Sequence, residues 1–247
     1  MVKTFGLIGY PLSHSFSKKF FTEKFEKEGI ADRQYELFPL TEIKCLSQLI
    51  TNKDLEGLNV TIPYKVAVIP YLHEIDEAAQ AIGAVNCIAI HHDQEQPYLK
   101  GYNTDAYGFE ESLKPLLAVH HQSALIFGNG GAAKAVKYVL RKMGIPFLSV
   151  VRTAADGCIT YKEVTPALLQ EYKLLINTTP LGMSPNLDTC PSIPYEALSD
   201  QHLAYDLVYN PADTLFLRQA KARDAVTKNG MEMLVLQAER SWTIWNS

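Results

Sequence analysis

The run Leu125-Ile126-Phe127-Gly128-Asn129-Gly130-Gly131-Ala132-Ala133-Lys134-Ala135-Val136 changes character twice: apolar up to Phe127, glycine-rich to Gly131, helix-forming beyond. Small or apolar residues recur at Ala132, Val136, Val139 and Leu140, the spacing of one helical face. A strand, a tight turn and a helix are therefore expected. The spacing Gly128-x-Gly130-x-x-Ala133 fits the dinucleotide fingerprint, and each small residue has a task. Gly128 permits the turn, Gly130 lets backbone approach a pyrophosphate, and Ala133 lets the helix pack on the strand. The free N–H groups of the helix start then face the anion. The same turn can also join strand to helix and bind nothing. A second apolar run, Phe147–Val151, ends where a βαβ unit would place its second strand, and this favours the nucleotide reading.

A site for NAD usually carries an acid at the end of that second strand, where it binds the ribose 2′-hydroxyl. Here the place holds Val151, followed by Arg152 and Thr153. An arginine beside it suits a 2′-phosphate, so NADP(H) is expected. Arg152 is also compatible with an ordinary exposed loop, and Asp156 would oppose a phosphate placed near it.

The 247 residues suffice for one large domain or two modest ones. Hydrophobic residues make up 47% and charged residues 20%, with a net charge of -4. No basic block points to nucleic acid. Cys45, Cys87, Cys158 and Cys190 lack C-x-x-C spacing, which predicts reduced thiols in a cytoplasmic protein, with no zinc site or disulfide framework. No apolar run is long enough to predict a leader or a membrane span. The pairs His91-His92 and His120-His121 fall between apolar runs and read as exposed loop residues, with no metal expected.

Along the chain, Lys3–Ile8 reads as a buried strand. Ser13, Ser15 and Ser17 form a polar loop before a helix marked by Phe20, Phe21 and Phe25 and ended near Gly29. Such serines can cap the helix or bind a carboxylate through hydroxyls and backbone N–H groups. Residues 35–38 and 57–62 are strand candidates. A helix over 41–49, capped by Thr41, and another over 74–82 are expected. Pro63-Tyr64-Lys65 opens a further helical segment. At the positive end of a helix, the Lys65 ammonium is disfavoured, so Lys65 is either a solvated side chain or an acid–base group. Residues 85–90 and 98–101 pair through a polar turn around Asp93, and Asn103-Thr104-Asp105 caps a helix running to about 117. Residues 173–176 and 203–207 are strands. A helix over 214–222 and a final one over 231–245 complete the alternation of an α/β protein.

These pieces together resemble the shikimate dehydrogenase family from Gly9 to Gln237. They are Gly9-x-Pro11-x-x-His14-Ser15-x-Ser17, Asn59-Val60-Thr61-Ile62-Pro63-Tyr64-Lys65, Gly83-Ala84-Val85-Asn86, Gly101-x-Asn103-Thr104-Asp105-x-x-Gly108, the Gly128 turn, Asn177-Thr178-Thr179-Pro180-Leu181-Gly182-Met183, Tyr205-Asp206-Leu207-Val208-Tyr209 and Gly230-x-x-Met233-Leu234-x-x-Gln237-Ala238. The resemblance implies two α/β domains with a cleft between them. Residues 1–105 would form an open-sheet substrate-binding domain, completed by a C-terminal helix at about 230–247, and residues 106–229 a Rossmann-like NADP-binding domain. It implies reversible NADPH-dependent reduction of 3-dehydroshikimate to shikimate, in chorismate and aromatic amino-acid biosynthesis, by a monomer or homodimer.

By the same resemblance, Lys65 and Asp105 are the catalytic pair. Ser15 and Ser17 hold the substrate carboxylate, and Thr61, Asn86, Tyr209 and Gln237 surround the ring. Gly128, Asn129, Gly130, Gly131 and Ala132 take the diphosphate. Arg152 and Thr153 take the adenosine phosphate, Leu207 and Gly230 line the nicotinamide, and Glu77 stands near it. The chain departs from the family pattern at Val151, Asp156, Lys18 and Leu207. Two other readings remain: a quinate/shikimate enzyme with relaxed cofactor use, and a catalytically silent ligand-binding relative. Retention of Lys65 and Asp105 speaks against the second.

Overall fold

The computed structural model describes residues 2–12, 15–92 and 96–247. Ser13, His14 and the turn around Asp93, named above, lie outside them. The chain divides into two compact units, Met1–Tyr107 with Gln237–Ser247, and Gly108–Leu236. The divisions fall within helices α5 (Thr104–Leu113) and α9 (Met231–Trp245).

The first unit contains β1 (Lys3–Gly9), α1 (Phe16–Glu28), β2 (Arg33–Pro39), α2 (Leu46–Leu49), β3 (Leu55–Val60), α3 (Tyr64–Ala67), β4 (Glu74–Ile75), α4 (Glu77–Ile82), β5 (Cys87–His91) and β6 (Tyr98–Tyr102). Its sheet has the order β2-β1-β3-β5-β6-β4. β1 runs parallel to β2 and β3, whereas β5 is antiparallel to β3 and β6. α1 buries Phe21 and Phe25, one turn apart, and ends at Gly29 with φ 68°, where a side chain would be strained. Phe21 stacks on Tyr35, and Phe5 stacks on Trp245 with ring centroids 4.9 Å apart. The Trp245 indole donates to the Ile88 carbonyl at 2.9 Å and lies over Gly57, where a Cβ would run into it.

Three local expectations change here. Residues 41–49 form a 3-10 turn at Ile43–Cys45 followed by the four-residue α2, without a cap from Thr41, because this segment buries only Leu46. Residues 74–82 begin as strand β4, and α4 starts only after Asp76, whose carboxylate accepts the Ala79 N–H at 2.8 Å. Ser17 lies inside α1, so the cap falls to Ser15 alone among the described serines.

The second unit contains β7 (Ala124–Phe127), α6 (Gly131–Lys142), β8 (Phe147–Val151), β9 (Cys158–Thr160), α7 (Pro166–Glu171), β10 (Leu174–Asn177), β11 (Leu203–Asp206), α8 (Leu215–Lys221) and β12 (Val226–Lys228). All its strand pairs are parallel, in the order β12-β11-β10-β7-β8-β9. This is the doubly wound arrangement, and its order reverses between β7 and β10, where such sheets bind ligands at the strands' carboxyl ends. Every residue of β7, β10 and β11 is buried, which explains their unbroken apolar runs. His121 corrects the reading of exposed histidines. It is 6% exposed, and its Nδ1 accepts the Ala118 N–H at 2.9 Å.

Candidate active site

Lys65 and Asp105 come from distant parts of the first unit's sequence and meet at 2.6 Å, Nζ to Oδ2. Lys65 stands on α3, a single turn placed just after β3 by Pro63. The field of so short a helix is weak, and the facing Asp105 carboxylate dominates the charge around the ammonium. Asn103, not Asp105, takes the capping bond, its Oδ1 accepting from the Ala106 N–H at 3.1 Å. Asp105 is thereby left to bond sideways. Asn86 fixes it there: Asn86 Oδ1 accepts the Thr104 N–H at 2.6 Å, so its amide nitrogen faces Asp105 and donates to Oδ1 at 2.9 Å. The pair keeps side-chain exposures of 32% and 20%, open enough to meet a ligand.

Behind the pair lies a buried polar chain that the sequence did not reveal. Tyr35 donates to Asn59 at 2.8 Å, Asn59 donates to Ser241 at 2.9 Å, and Ser241 lies 3.3 Å from the Thr104 hydroxyl. Gln237 is one turn before Ser241 on α9, 8% exposed, with its Oε1 3.4 Å from Thr104 Oγ1. Burial pushes the Tyr35 phenol well above its ordinary value, with the Ser17 hydroxyl pulling the other way. Ser15 Oγ accepts the Lys18 N–H at 3.3 Å, which leaves its own proton to donate. Thr61 follows β3, its methyl packed against Gly9. The structure thus gathers Asn86, Asp105 and Lys65 directly and reaches Gln237 through Thr104. Glu77 is exposed in the first turn of α4.

In the second unit, Gly128 follows β7 with φ 103°, and a Cβ there would press on the Thr178 hydroxyl at 2.8 Å. α6 starts at Gly131 with no side-chain cap, so its first N–H groups are available to an anion. Space for one exists: no heavy atom comes within 4 Å of a Cβ built on Gly130 or Gly131. Ala133 is fully buried beneath. A cavity of about 460 Å³ is lined by Gly128, Asn129, Gly130, Arg152, Thr153 and the Thr178–Leu181 turn, among others. Burial raises the Tyr161 phenol in its wall, and the neighbouring Arg152 guanidinium opposes that shift. No ion pair joins Arg152 to Asp156 among the described residues. These groups fit a phosphorylated dinucleotide: uncapped N–H groups for the diphosphate, and a cation at the end of β8 for a further phosphate. Ala132 is the second residue of α6, and Gly230 lies so close to the Leu207 carbonyl that only glycine fits. Tyr209 follows two residues after Leu207.

Asp206, at the end of β11, is fully buried. Burial pushes its carboxyl from the ordinary 3.8 up to about 6, against the pull of bonds from Thr214, Val208 and Asn177.

Comparison with known proteins identifies the family. Residues 7–88 match the model of the shikimate dehydrogenase substrate binding domain. A shikimate dehydrogenase (NADP(+)) of Carboxydothermus hydrogenoformans is 37% identical, over 98% of this chain and 91% of that protein. The chain belongs to the shikimate dehydrogenase family. Among solved structures, a chorismate mutase/shikimate 5-dehydrogenase fusion protein from Clostridium acetobutylicum superposes with TM-score 0.87 at 36% identity, covering 100% of this chain and 91% of that one. The shikimate 5-dehydrogenase of Thermus thermophilus, in complex with NADP(H) and shikimate, gives TM-score 0.84 at 31% identity, covering 99% and 93%. The family has two-domain α/β members, as here. No helix among the described residues is long and apolar enough to cross a membrane, and no group of His, Cys, Asp or Glu among them could hold a metal ion.

Proposed function

We propose that this chain is an NADP-dependent oxidoreductase that reversibly reduces the 3-keto group of 3-dehydroshikimate to shikimate, serving chorismate and aromatic amino-acid biosynthesis. The observation that carries the proposal is the Lys65–Asp105 pair at 2.6 Å, oriented by Asn86. NADPH, bound at the Gly128 turn, would supply the hydride. Reduction of a ketone places negative charge on its oxygen as the new C–H bond forms. The Lys65 ammonium, set beside that oxygen, stabilises the charge and hands over a proton. The Asp105 carboxylate holds the ammonium in place and accepts a hydrogen bond from a substrate hydroxyl. In the reverse direction Lys65, having lost its proton, accepts the one leaving the alcohol.

Ser15 and Ser17 hydroxyls suit the substrate carboxylate, because each can donate a hydrogen bond to it. Thr61, Asn86, Gln237 and Tyr209 are the polar groups assigned to the ring and its hydroxyls. On the cofactor side, the Gly128–Ala132 backbone holds the diphosphate, Arg152 and Thr153 the 2′-phosphate, and Leu207 and Gly230 the nicotinamide, with Glu77 assigned near it. Residues 1–105 with about 230–247 form the substrate-binding domain of this proposal, and 106–229 the NADP-binding domain. The free thiols of Cys45, Cys87, Cys158 and Cys190 support placing the enzyme in the cytoplasm; its assembly in this proposal is a monomer or homodimer.

Initial rates on shikimate and on quinate, each with NADP and with NAD, test the proposal. Turnover with shikimate and NADP far above the other three combinations is expected. Preference for quinate or for NAD would move the chain to the relaxed-specificity reading, and folded protein without turnover would move it to the silent one.

A further inference from the structure

We propose that Asp206 is a positioning residue for cofactor binding: through Asn177 and Thr179, its ionised carboxylate sets the wall of the cavity at the Gly128 turn. The proposal rests on the cofactor reading above.

Its carboxylate takes three hydrogen bonds from three segments. Asn177 Nδ2, at the end of β10, donates to Oδ1 at 2.9 Å. The Val208 N–H donates to the same oxygen at 3.0 Å, and the Thr214 hydroxyl to Oδ2 at 2.6 Å. Asp206, Asn177 and Thr214 are all fully buried. Because Asn177 must turn its NH2 toward the carboxylate, its Oδ1 faces the other way and accepts from the Thr179 N–H at 3.1 Å and the Thr179 hydroxyl at 2.6 Å. Thr179 Oγ1 in turn accepts the Leu181 N–H at 3.3 Å. Thr179 and Leu181 line the cavity, and the Thr179 methyl abuts the Gly128 position.

A carboxylate in β11, with the Leu181 carbonyl that accepts from the same Asn177 NH2 at 3.5 Å, therefore sets which way an amide in β10 points, and that amide shapes the turn facing the glycine loop. On the other side, the Val208 bond holds the segment between Leu207 and Tyr209. Protonation would fall on Oδ2, where the Thr214 hydroxyl can turn to accept, and would leave Oδ1 an uncharged acceptor; the Asn177 and Val208 bonds then lose their charge assistance, and the hold on Thr179 loosens. Tyr195 is a titratable neighbour: burial, then Cys190, then the Asp206 charge raise its phenol, and no cation pairs with Asp206 among the described residues. Strand pairing alone does not call for such a residue. A buried carboxylate without a cation costs stability, and an apolar side chain would serve the sheet better.

The test uses the full chain with Asp206→Asn, which keeps the shape, removes the charge and still lets the Thr214 hydroxyl find a partner. In ligand-free protein, amide exchange at Thr179, Leu181 and Val208 should quicken about tenfold or more, the weight of one charge-assisted bond. The NADPH dissociation constant should rise by about the same factor, while the melting temperature at pH 8 stays equal or increases. Wild-type affinity should fall more between pH 7.5 and 5.5 than that of the variant; the cofactor's own phosphate titrates in both, so the difference belongs to Asp206. Wild-type exchange and affinity in a folded variant would overturn the proposal alone. Failure of the wild-type protein to bind NADPH would overturn the cofactor reading and this proposal with it. Should Asp206→Asn not fold, Thr179→Val cuts the same relay one link later and should weaken NADPH while leaving exchange at Val208 unchanged. Unaltered NADPH affinity there would also refute it.

Discussion

Around Lys65 the polar groups are side chains that hold one another. Lys65, Asp105, Asn86, Thr104, Ser241 and Asn59 form a connected set in which each member is oriented by the next. Around Gly128 the polar groups are mostly backbone N–H groups, and their direction is set by φ angles and by the absence of side chains. One region stores its function in chemistry, the other in conformation. Conservative side-chain changes should therefore injure the first region in turnover and the second in cofactor affinity or stability.

The sharpest way to break that contrast is Lys65→Ala. Turnover should fall by about 10²–10⁴-fold, the usual weight of a positioned acid–base group, with a much smaller change in KM for shikimate. Near-normal kcat would remove the lysine from the chemistry. Next comes Arg152→Ala, the side chain proposed to meet the cofactor's further phosphate in the second region. KM for NADPH should rise about tenfold or more, as for a lost charge-assisted bond, and any NADH activity should persist. Equal losses with both cofactors would put Arg152 outside the phosphate site. Gly128→Ala probes conformation directly: the left-handed φ costs about 1–2 kcal/mol and the Thr178 hydroxyl must move, so a lowered melting temperature and weaker NADPH binding are expected together. Wild-type stability would show that the turn tolerates a side chain.

The smallest effect concerns pH. Burial lowers His121 and His202 below the ordinary 6.5. Each ring accepts a backbone N–H at Nδ1 and so must be neutral when folded. The unfolded chain binds protons first as pH falls, so the stability these rings contribute is complete above 6.5 and lost progressively below it. Asp206 has the opposite sign. Its carboxyl rises from 3.8 to about 6, and its contribution fades as pH rises through that window. Chemical denaturation from pH 5 to 8 should show acid destabilisation that decreases in His202→Gln. An unchanged pH profile in that variant would remove His202 from the effect.

The parts of this molecule visible in the sequence share a property: their residues are close along the chain. The Gly128 turn, the Pro63-Tyr64-Lys65 opening and the Gly29 helix stop are read within a few positions because local geometry demands those residue types. Asn59 and Asp206, polar residues among apolar ones, and Ser241 take no role from the sequence alone, because each bonds a side chain brought in from another segment. Asn59 and Ser241 are 182 positions apart. A polar residue in such a setting is the one available signal, and it names no partner. His121 misleads for a related reason, since a polar pair between apolar runs looks like a loop until a backbone N–H is found for its ring. The strands β9 and β12 span three residues each and offer too little periodicity to recognise.

Trp245 has one more consequence. The indole that covers Gly57 and stacks on Phe5 belongs to the last turn of α9, whereas its partners lie near the other end of the chain. A ribosome therefore exposes Phe5, Phe21 and the Ile88 carbonyl long before it makes the residue that covers them. The aromatic cluster of the first unit is therefore complete only once α9 has been made.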